Sequence, residues 1–109
     1  MMSVELTMNK KRNVKLLDIE SLTAAAECLK ALAHPSRLQI VQLLLSGERY
    51  SVNELAEACE LSQPATSDHL RLMQRCGFLM SQRDGRTVYY EIAEPHLADL
   101  MLCVQGRFG

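Results

Sequence analysis

The 109-residue sequence contains 12 Lys and Arg against 13 Asp and Glu, with a formal net charge of −1 and 48% hydrophobic residues. A chain of this length buries roughly two-thirds of its unfolded surface, which supports one hydrophobic core rather than two. It contains no apolar run near the ~20 residues of a membrane span, and no apolar block follows its basic N-terminal residues. A multidomain enzyme and a membrane protein are thereby excluded, and we expect a cytoplasmic protein with reduced thiols and no membrane partner.

The hydrophobic pattern begins at residue 18, so residues 1–17 are predicted to be a flexible arm and residues 18–109 one folded domain. Apolar residues then recur at helical spacing as far as Ala33. The first helix must end there, because the residue before Pro35 is disfavoured in the α region. Pro35 itself suits the first turn of a second helix, which ends at Gly47.

Two short helices separated by a tight turn come next. Ser51 and Glu54 have the spacing of a capping box, which predicts a helix over residues 52–59. After a three-residue turn, Ser62 is a suitable cap for the following helix, whose first turn contains Pro64. This arrangement predicts a helix-turn-helix.

The remaining sequence predicts a hairpin and a last helix. Alternating segments over Phe78–Arg83 and Arg86–Ile92 flank Asp84-Gly85, a pair that favours a type I′ turn. Pro95 opens the last helix, whose predicted apolar stripe consists of Leu97, Leu100, Met101, Val104 and Phe108. Because a chain this short cannot bury every such face, we expect the stripe to form an interface. The predicted fold is mainly α with a small β-hairpin, a winged helix-turn-helix that dimerises through its first and last helices.

The second helix of the predicted pair carries a polar face that suits the major groove of double-stranded DNA. Gln63 can pair with adenine, Arg71 can bind a phosphate or guanine, and the backbone N–H groups near Ser62 suit a phosphate oxygen. Arginines on both sides of the hairpin tip can reach an adjacent groove or the DNA backbone. The candidate DNA-binding residues are Ser62, Gln63, Thr66, Ser67, Asp68, His69, Arg71, Arg83 and Arg86.

The slightly acidic net charge argues against DNA binding, since DNA-binding domains are usually basic. Four arginines between residues 71 and 86 nevertheless face few acids, and local charge sets the field at a surface. Asp68 would repel phosphate, although it can accept a hydrogen bond from cytosine. The alternative is a winged-helix protein-interaction module that does not bind DNA. An enzyme is not expected, because the sequence has no nucleophile elbow, phosphate loop or paired metal motif.

Four segments in this order resemble the ArsR/SmtB family of bacterial repressors: Ala33–Leu38, Glu54–Ala56, Leu61–Leu70 and Arg83–Tyr90. The resemblance extends over roughly residues 22–102. It implies a homodimer that binds a palindromic operator and represses transcription. It also implies that a metal ion or another chemical signal relieves the repression.

The residues at the family's known metal sites are incomplete in this sequence. Ser51-Val52-Asn53 stands where the family's thiolate site has a Cys-Val-Cys pattern. Glu94 and His96 match the first half of the family's interhelical site, whereas the second half falls on Arg107 and beyond residue 109. No metal site is therefore predicted, and Glu94 and His96 are weak candidates.

Cysteines offer a second kind of signal. Cys28 and Cys103 lie on the first and last predicted helices, which we expect to pack together at the dimer interface. They could form a disulfide if their Cα atoms approach within ~7 Å, or they could bind a thiophilic ion. A link there would change the angle between the two DNA-binding helices. The alternative is that all four cysteines are structural.

Overall fold

The computed structural model describes residues 8–9 and 14–109, and the chain divides after Lys30 into two compact units. In the first unit, β1 (Met8–Asn9) pairs antiparallel with β2 (Val14–Lys15). Helix α1 (Ile19–Leu32) begins after Asp18, whose carboxylate accepts a hydrogen bond from the Ser21 amide at 2.8 Å. The rest of the predicted N-terminal arm, residues 1–7 and 10–13, lies outside the described residues.

Helix α1 exposes large apolar side chains along its length. The exposed fractions are 73% for Ile19, 47% for Leu22 and 55% for Leu29. Its buried residues are the last two, Ala31 and Leu32, which belong to the second unit. Most of the helix therefore presents an apolar surface to solvent in the single chain.

The second unit contains four further helices and a small sheet. Its elements are α2 (Pro35–Leu44), β3 (Tyr50–Ser51), α3 (Val52–Ala58), α4 (Gln63–Arg75), β4 (Leu79–Asp84), β5 (Thr87–Ile92) and α5 (Leu97–Phe108). The predicted helix starts at Pro35, Ser51 and Ser62 are confirmed. At Ser51 the full capping box forms, because Ser51 Oγ accepts from the Glu54 amide at 3.1 Å and Glu54 Oε1 accepts from the Ser51 amide at 2.8 Å.

The strands form one antiparallel sheet in the order β3-β5-β4, and β4 with β5 is the predicted hairpin, hereafter the wing. Strand β3 was not predicted, since two residues are too few to show an alternating pattern. The wing turn differs from the prediction by one residue. Asp84 pairs with Thr87, so the central residues are Gly85 and Arg86. Gly85 alone of the two has a positive φ, +64°, which is the pattern of a type II′ turn rather than type I′.

The core lies between these helices and the sheet. Its fully buried side chains are Ile40, Val41, Leu44, Leu55, Leu70, Met73 and Thr66. Leu97 and Met101 of α5 also lie in this core, at 3% and 4% exposure, so these two residues of the predicted stripe are not exposed. Phe108 of the stripe is exposed, at 77%, and so is Leu102, which the prediction did not include, at 66%. Within the described chain no helix has the length and apolar content to span a bilayer.

Candidate nucleic-acid interface

Helix α4 has one face in the core and one polar face in solvent. Ser62 Oγ caps its start by accepting a hydrogen bond from the Ala65 amide at 3.2 Å. Leu70 and Met73 are fully buried and fix the rotation of the helix about its axis. The opposite face presents Gln63, Asp68, Arg71 and Arg75 as exposed side chains, with Ser67 and Gln74 half-buried. This is the face that the sequence predicted to meet DNA.

Thr66 does not belong to this face. Its side chain is fully buried, and its hydroxyl donates a hydrogen bond to the Ser62 carbonyl at 2.9 Å. Thr66 stands one helical turn before Leu70, so both side chains project into the core. The prediction of Thr66 as a DNA contact is therefore wrong.

His69 contacts residues at the start of α2. It is half-buried, its Nδ1 accepts a hydrogen bond from Arg37 Nε at 3.0 Å, and its ring lies 4.8 Å from that of His34. Burial lowers the pKa of His69, the positive charge of Arg37 and then His34 lower it further, and Asp68 acts in the opposite direction. Its Nδ1 is thus engaged with α2, and a DNA contact of His69 stays a prediction.

The acidic residues of this surface are paired with arginines. Asp68 accepts a hydrogen bond from Arg71 Nη2 at 2.7 Å. The arginine offsets the negative charge of Asp68 on the face that was predicted to meet DNA phosphates. In the wing, Asp84 accepts from Arg49 Nη2 at 3.0 Å, and Arg49 also lies 4.1 Å above the ring of Tyr89.

Three arginines of the same surface have no acidic partner among the described residues: Arg75, Arg83 and Arg86. All three side chains are exposed. The positive charge is therefore concentrated here, although the whole chain is slightly acidic.

Two open grooves lie on this surface. The first, about 220 Å³ in volume, joins the start of α4 to the wing and is lined by Ser51, Val52, Asn53, Gln63, Arg86, Thr87 and Val88. The second, about 510 Å³, is lined by Arg71, Gln74 and Arg75 at the end of α4. Gln74 and Arg75 were absent from the predicted set, although Arg75 follows Arg71 at the i+4 spacing of one helix face. Gln74 Nε2 also donates to Ser81 Oγ at 3.0 Å and thereby connects α4 to β4.

The candidate sensing residues lie outside this surface. Glu94 Oε2 accepts from the His96 amide at 2.8 Å and pairs with His96 Nδ1 at 2.8 Å, and these bonds lower the pKa of Glu94. The described residues contain no group of three or more His, Cys, Asp or Glu side chains able to hold a metal ion. Cys28 is half-buried and Cys103 is exposed, and neither is in a disulfide. The sensing roles of all four residues stay predictions.

Comparisons with known proteins agree with this architecture. The model of the bacterial regulatory protein arsR family matches residues 34–81. The transcriptional repressor SmtB of Mycobacterium tuberculosis is 42% identical over 90 residues, which make up 83% of this chain and 66% of SmtB. The transcriptional regulator NmtR of the same organism is 38% identical over 85 residues, or 78% of this chain and 70% of NmtR.

A solved structure gives the same result. The homodimeric winged helix-turn-helix DNA-binding domain of Mb0332 from Mycobacterium bovis, a possible ArsR-family transcriptional regulator, matches with a TM-score of 0.70. The two are 32% identical, and the match covers 79% of each chain. Together with the order of elements and the exposed polar face of α4, these matches establish that the chain belongs to the ArsR/SmtB family of winged helix-turn-helix transcriptional regulators.

Proposed function

We propose that two copies of this chain bind a palindromic operator and repress transcription until a chemical signal releases them. The observation that carries the proposal is the continuous polar surface from α4 to the wing, in which Asp68 and Asp84 are both paired with arginines. Such a surface presents net positive charge to phosphates while its polar side chains meet base edges.

Within this surface, position suggests which residues meet bases and which meet the backbone. Gln63 and Ser67 lie on the exposed side of α4 near its start, where recognition helices contact base edges. Arg75 follows on the same side and suits a phosphate, whereas Arg71 must leave Asp68, which it contacts at 2.7 Å, to reach one. At the helix start the Ala65 amide donates to Ser62 Oγ and Pro64 has no N–H. The Gln63 amide is therefore the group proposed to donate to a phosphate oxygen beside Ser62.

Arg83 and Arg86 lie on either side of Gly85 at the tip of the wing. Both are exposed, so they can reach a phosphate or a minor groove beside the one occupied by α4.

The dimer is proposed to form through α1 and α5. Each helix exposes apolar side chains in the single chain, for example Leu29 at 55% on α1 and Phe108 at 77% on α5. Exposed apolar surface of this kind marks an interaction site, and the related domain from Mycobacterium bovis is a homodimer. A two-fold dimer places two recognition helices about 34 Å apart, one turn of DNA.

Equilibrium binding to the DNA upstream of this chain's own coding sequence, repeated at rising salt, tests the proposal. Each phosphate contact contributes roughly 0.9 to the slope of log affinity against log salt. Arg86→Gln should therefore lower the slope of the dimer by about 1.8, whereas Arg107→Gln, which removes the same charge from α5, should leave it unchanged. The alternative, a protein-interaction module, requires the absence of salt-dependent binding to any DNA duplex.

The releasing signal is proposed to act on thiols, through Cys28 and Cys103. Formation of a disulfide removes two electrons and two protons from a pair of thiols, so it requires a two-electron oxidant such as hydrogen peroxide. Operator affinity should then differ between the reduced and the oxidised protein, and Cys28→Ser should abolish the difference. A parallel series with thiophilic and divalent metal ions tests the metal alternative, including the weak candidates Glu94 and His96.

A further inference from the structure

Three side chains join α4, the proposed recognition helix, to the start of α2. Arg37 of α2 donates from Nε to His69 Nδ1 at 3.0 Å and from Nη1 to the Ala31 carbonyl at 3.2 Å. His34, which caps α2, lies with its ring 4.8 Å from the His69 ring at an angle of 46°. None of the three is exposed, since all are half-buried. Through these polar groups the cluster connects α4 to the residues between α1 and α2.

The hydrogen bonds define the protonation state of both histidines. Arg37 is a permanent cation and can only donate, so His69 Nδ1 must carry a lone pair. His34 Nδ1 accepts from the Ser36 amide at 3.1 Å, so it too must be unprotonated. The observed arrangement therefore requires two neutral imidazoles beside one guanidinium.

We propose that Arg37 and His69 are positioning residues for DNA binding, and that protonation of this cluster disengages the recognition helix and releases the operator. The inference rests on the proposed function, because it assigns a proton-dependent support to the same helix. A proton on His69 Nδ1 removes the acceptor for Arg37 and places two cations 3.0 Å apart.

The groups around His69 favour its neutral form, as the inference requires. The pKa of His69 lies below the usual 6.5 because burial disfavours the charged form of its ring. Arg37 of α2 and then His34, which precedes α2, act in the same direction. Asp68 of α4 favours the charged ring, but its carboxylate is shared with Arg71 at 2.7 Å. His69 is thus neutral at neutral pH, and its contact with Arg37 is lost only as the pH falls below the usual pKa of a histidine.

The direction in which DNA affinity changes with pH distinguishes a positioning role of His69 from the effect of net charge. Acidification makes a protein more positive, which by itself tightens binding to DNA phosphates. A positioning role for neutral His69 predicts the opposite, a loss of affinity on acidification. Because each disengaged recognition helix takes up one proton, affinity should fall by up to about tenfold per pH unit for each helix.

The test is fluorescence anisotropy with a duplex of the DNA upstream of this chain's coding sequence, from pH 8 to 5.5 at constant salt. His69→Gln keeps an oxygen acceptor for Arg37 and cannot titrate, so its affinity should stay level or rise on acidification. His96→Gln is the matched control, because it removes an exposed histidine and should behave as the native protein does. Far-UV circular dichroism at each pH verifies that the protein is folded.

A second variant keeps the inference testable if His69→Gln does not fold. His34→Asn retains an acceptor for the Ser36 amide and removes the ring that lowers the pKa of His69, so release should occur at a higher pH. A folded native protein whose affinity is constant or rises on acidification overturns the inference, as does a His69→Gln profile equal to the native one.

An NMR titration distinguishes failure of this inference from failure of the proposed function. The Arg37 Nε–H signal should disappear as His69 becomes protonated, together with shifts of the amides of α4. If no DNA is bound at pH 8, the proposed function is refuted, while the NMR result still decides the positioning role. An Arg37 signal that persists through the titration of His69 overturns the inference.

Discussion

Replacement of Asp68 by Asn should change how strongly the protein binds DNA of any sequence. In the structure the Asp68 carboxylate holds the Arg71 guanidinium at 2.7 Å on the recognition helix. The substitution would remove one negative charge and leave Arg71 available to a phosphate. We therefore expect tighter binding to random duplexes and a smaller ratio between operator and random DNA.

The size of the effect follows from the number of phosphate contacts. One additional contact per recognition helix steepens the salt slope of the dimer by about 1.8, at roughly 0.9 per contact. Over a fourfold change in salt this corresponds to an additional factor of about 12 in affinity. The stability of the protein should change little, because the side chains of the pair are 75% and 62% exposed and such pairs contribute about 0–1 kcal/mol.

The assay is anisotropy with operator and random duplexes at several salt concentrations, for the native protein, Asp68→Asn and Asp99→Asn. The last variant removes an exposed carboxylate from α5 and controls for the change in net charge. An unchanged slope with weaker binding to both duplexes would show that Asp68 supports DNA binding, and it would refute the reasoning.

Four further predictions concern stability and the wing. Leu55→Ala removes a fully buried side chain and should lower the free energy of unfolding in urea by about 2–5 kcal/mol. Glu60→Gly relieves a positive φ of 55° in the turn before α4 and should raise that free energy by a few tenths of a kcal/mol, to about 1. Gly85→Ala strains the wing turn at φ +64° and should weaken operator binding more than it lowers the melting temperature. The lowered pKa of His69 means that the unfolded state binds more protons below pH 6.5, so unfolding free energy should fall on acidification, and less so in His69→Gln.

Local signals in the sequence were sufficient for the order of the elements and for most helix starts. Pro35, Ser51 and Ser62 were each identified from the chemistry of helix termini, and each begins a helix as predicted. These predictions depend on interactions within four residues of one another, which the sequence displays directly. The exposed face of α4 followed for the same reason, since its polar residues recur at helical spacing.

The errors concern packing that the local pattern does not contain. Thr66 is polar and lies among polar neighbours, yet the rotation of α4 set by Leu70 places it in the core. Leu97 and Met101 resembled members of an interface stripe, but they lie in the hydrophobic core. The contact between Arg37 and His69 joins residues far apart in the chain, so the sequence could identify His69 only as one more polar residue of α4.

The slightly acidic composition is compatible with a regulator that must discriminate among DNA sequences. A strongly basic domain binds every duplex through phosphate contacts, and the excess of random sites then competes with the operator. In this chain two acids of the interface are paired with Arg71 and Arg49, which limits the arginines available for contacts that carry no sequence information. Because such exposed pairs add little to stability, their effect is on the surface charge. Affinity for the operator then depends more on how accurately α4 is held, and therefore on the contacts that connect it to α2 and to the wing.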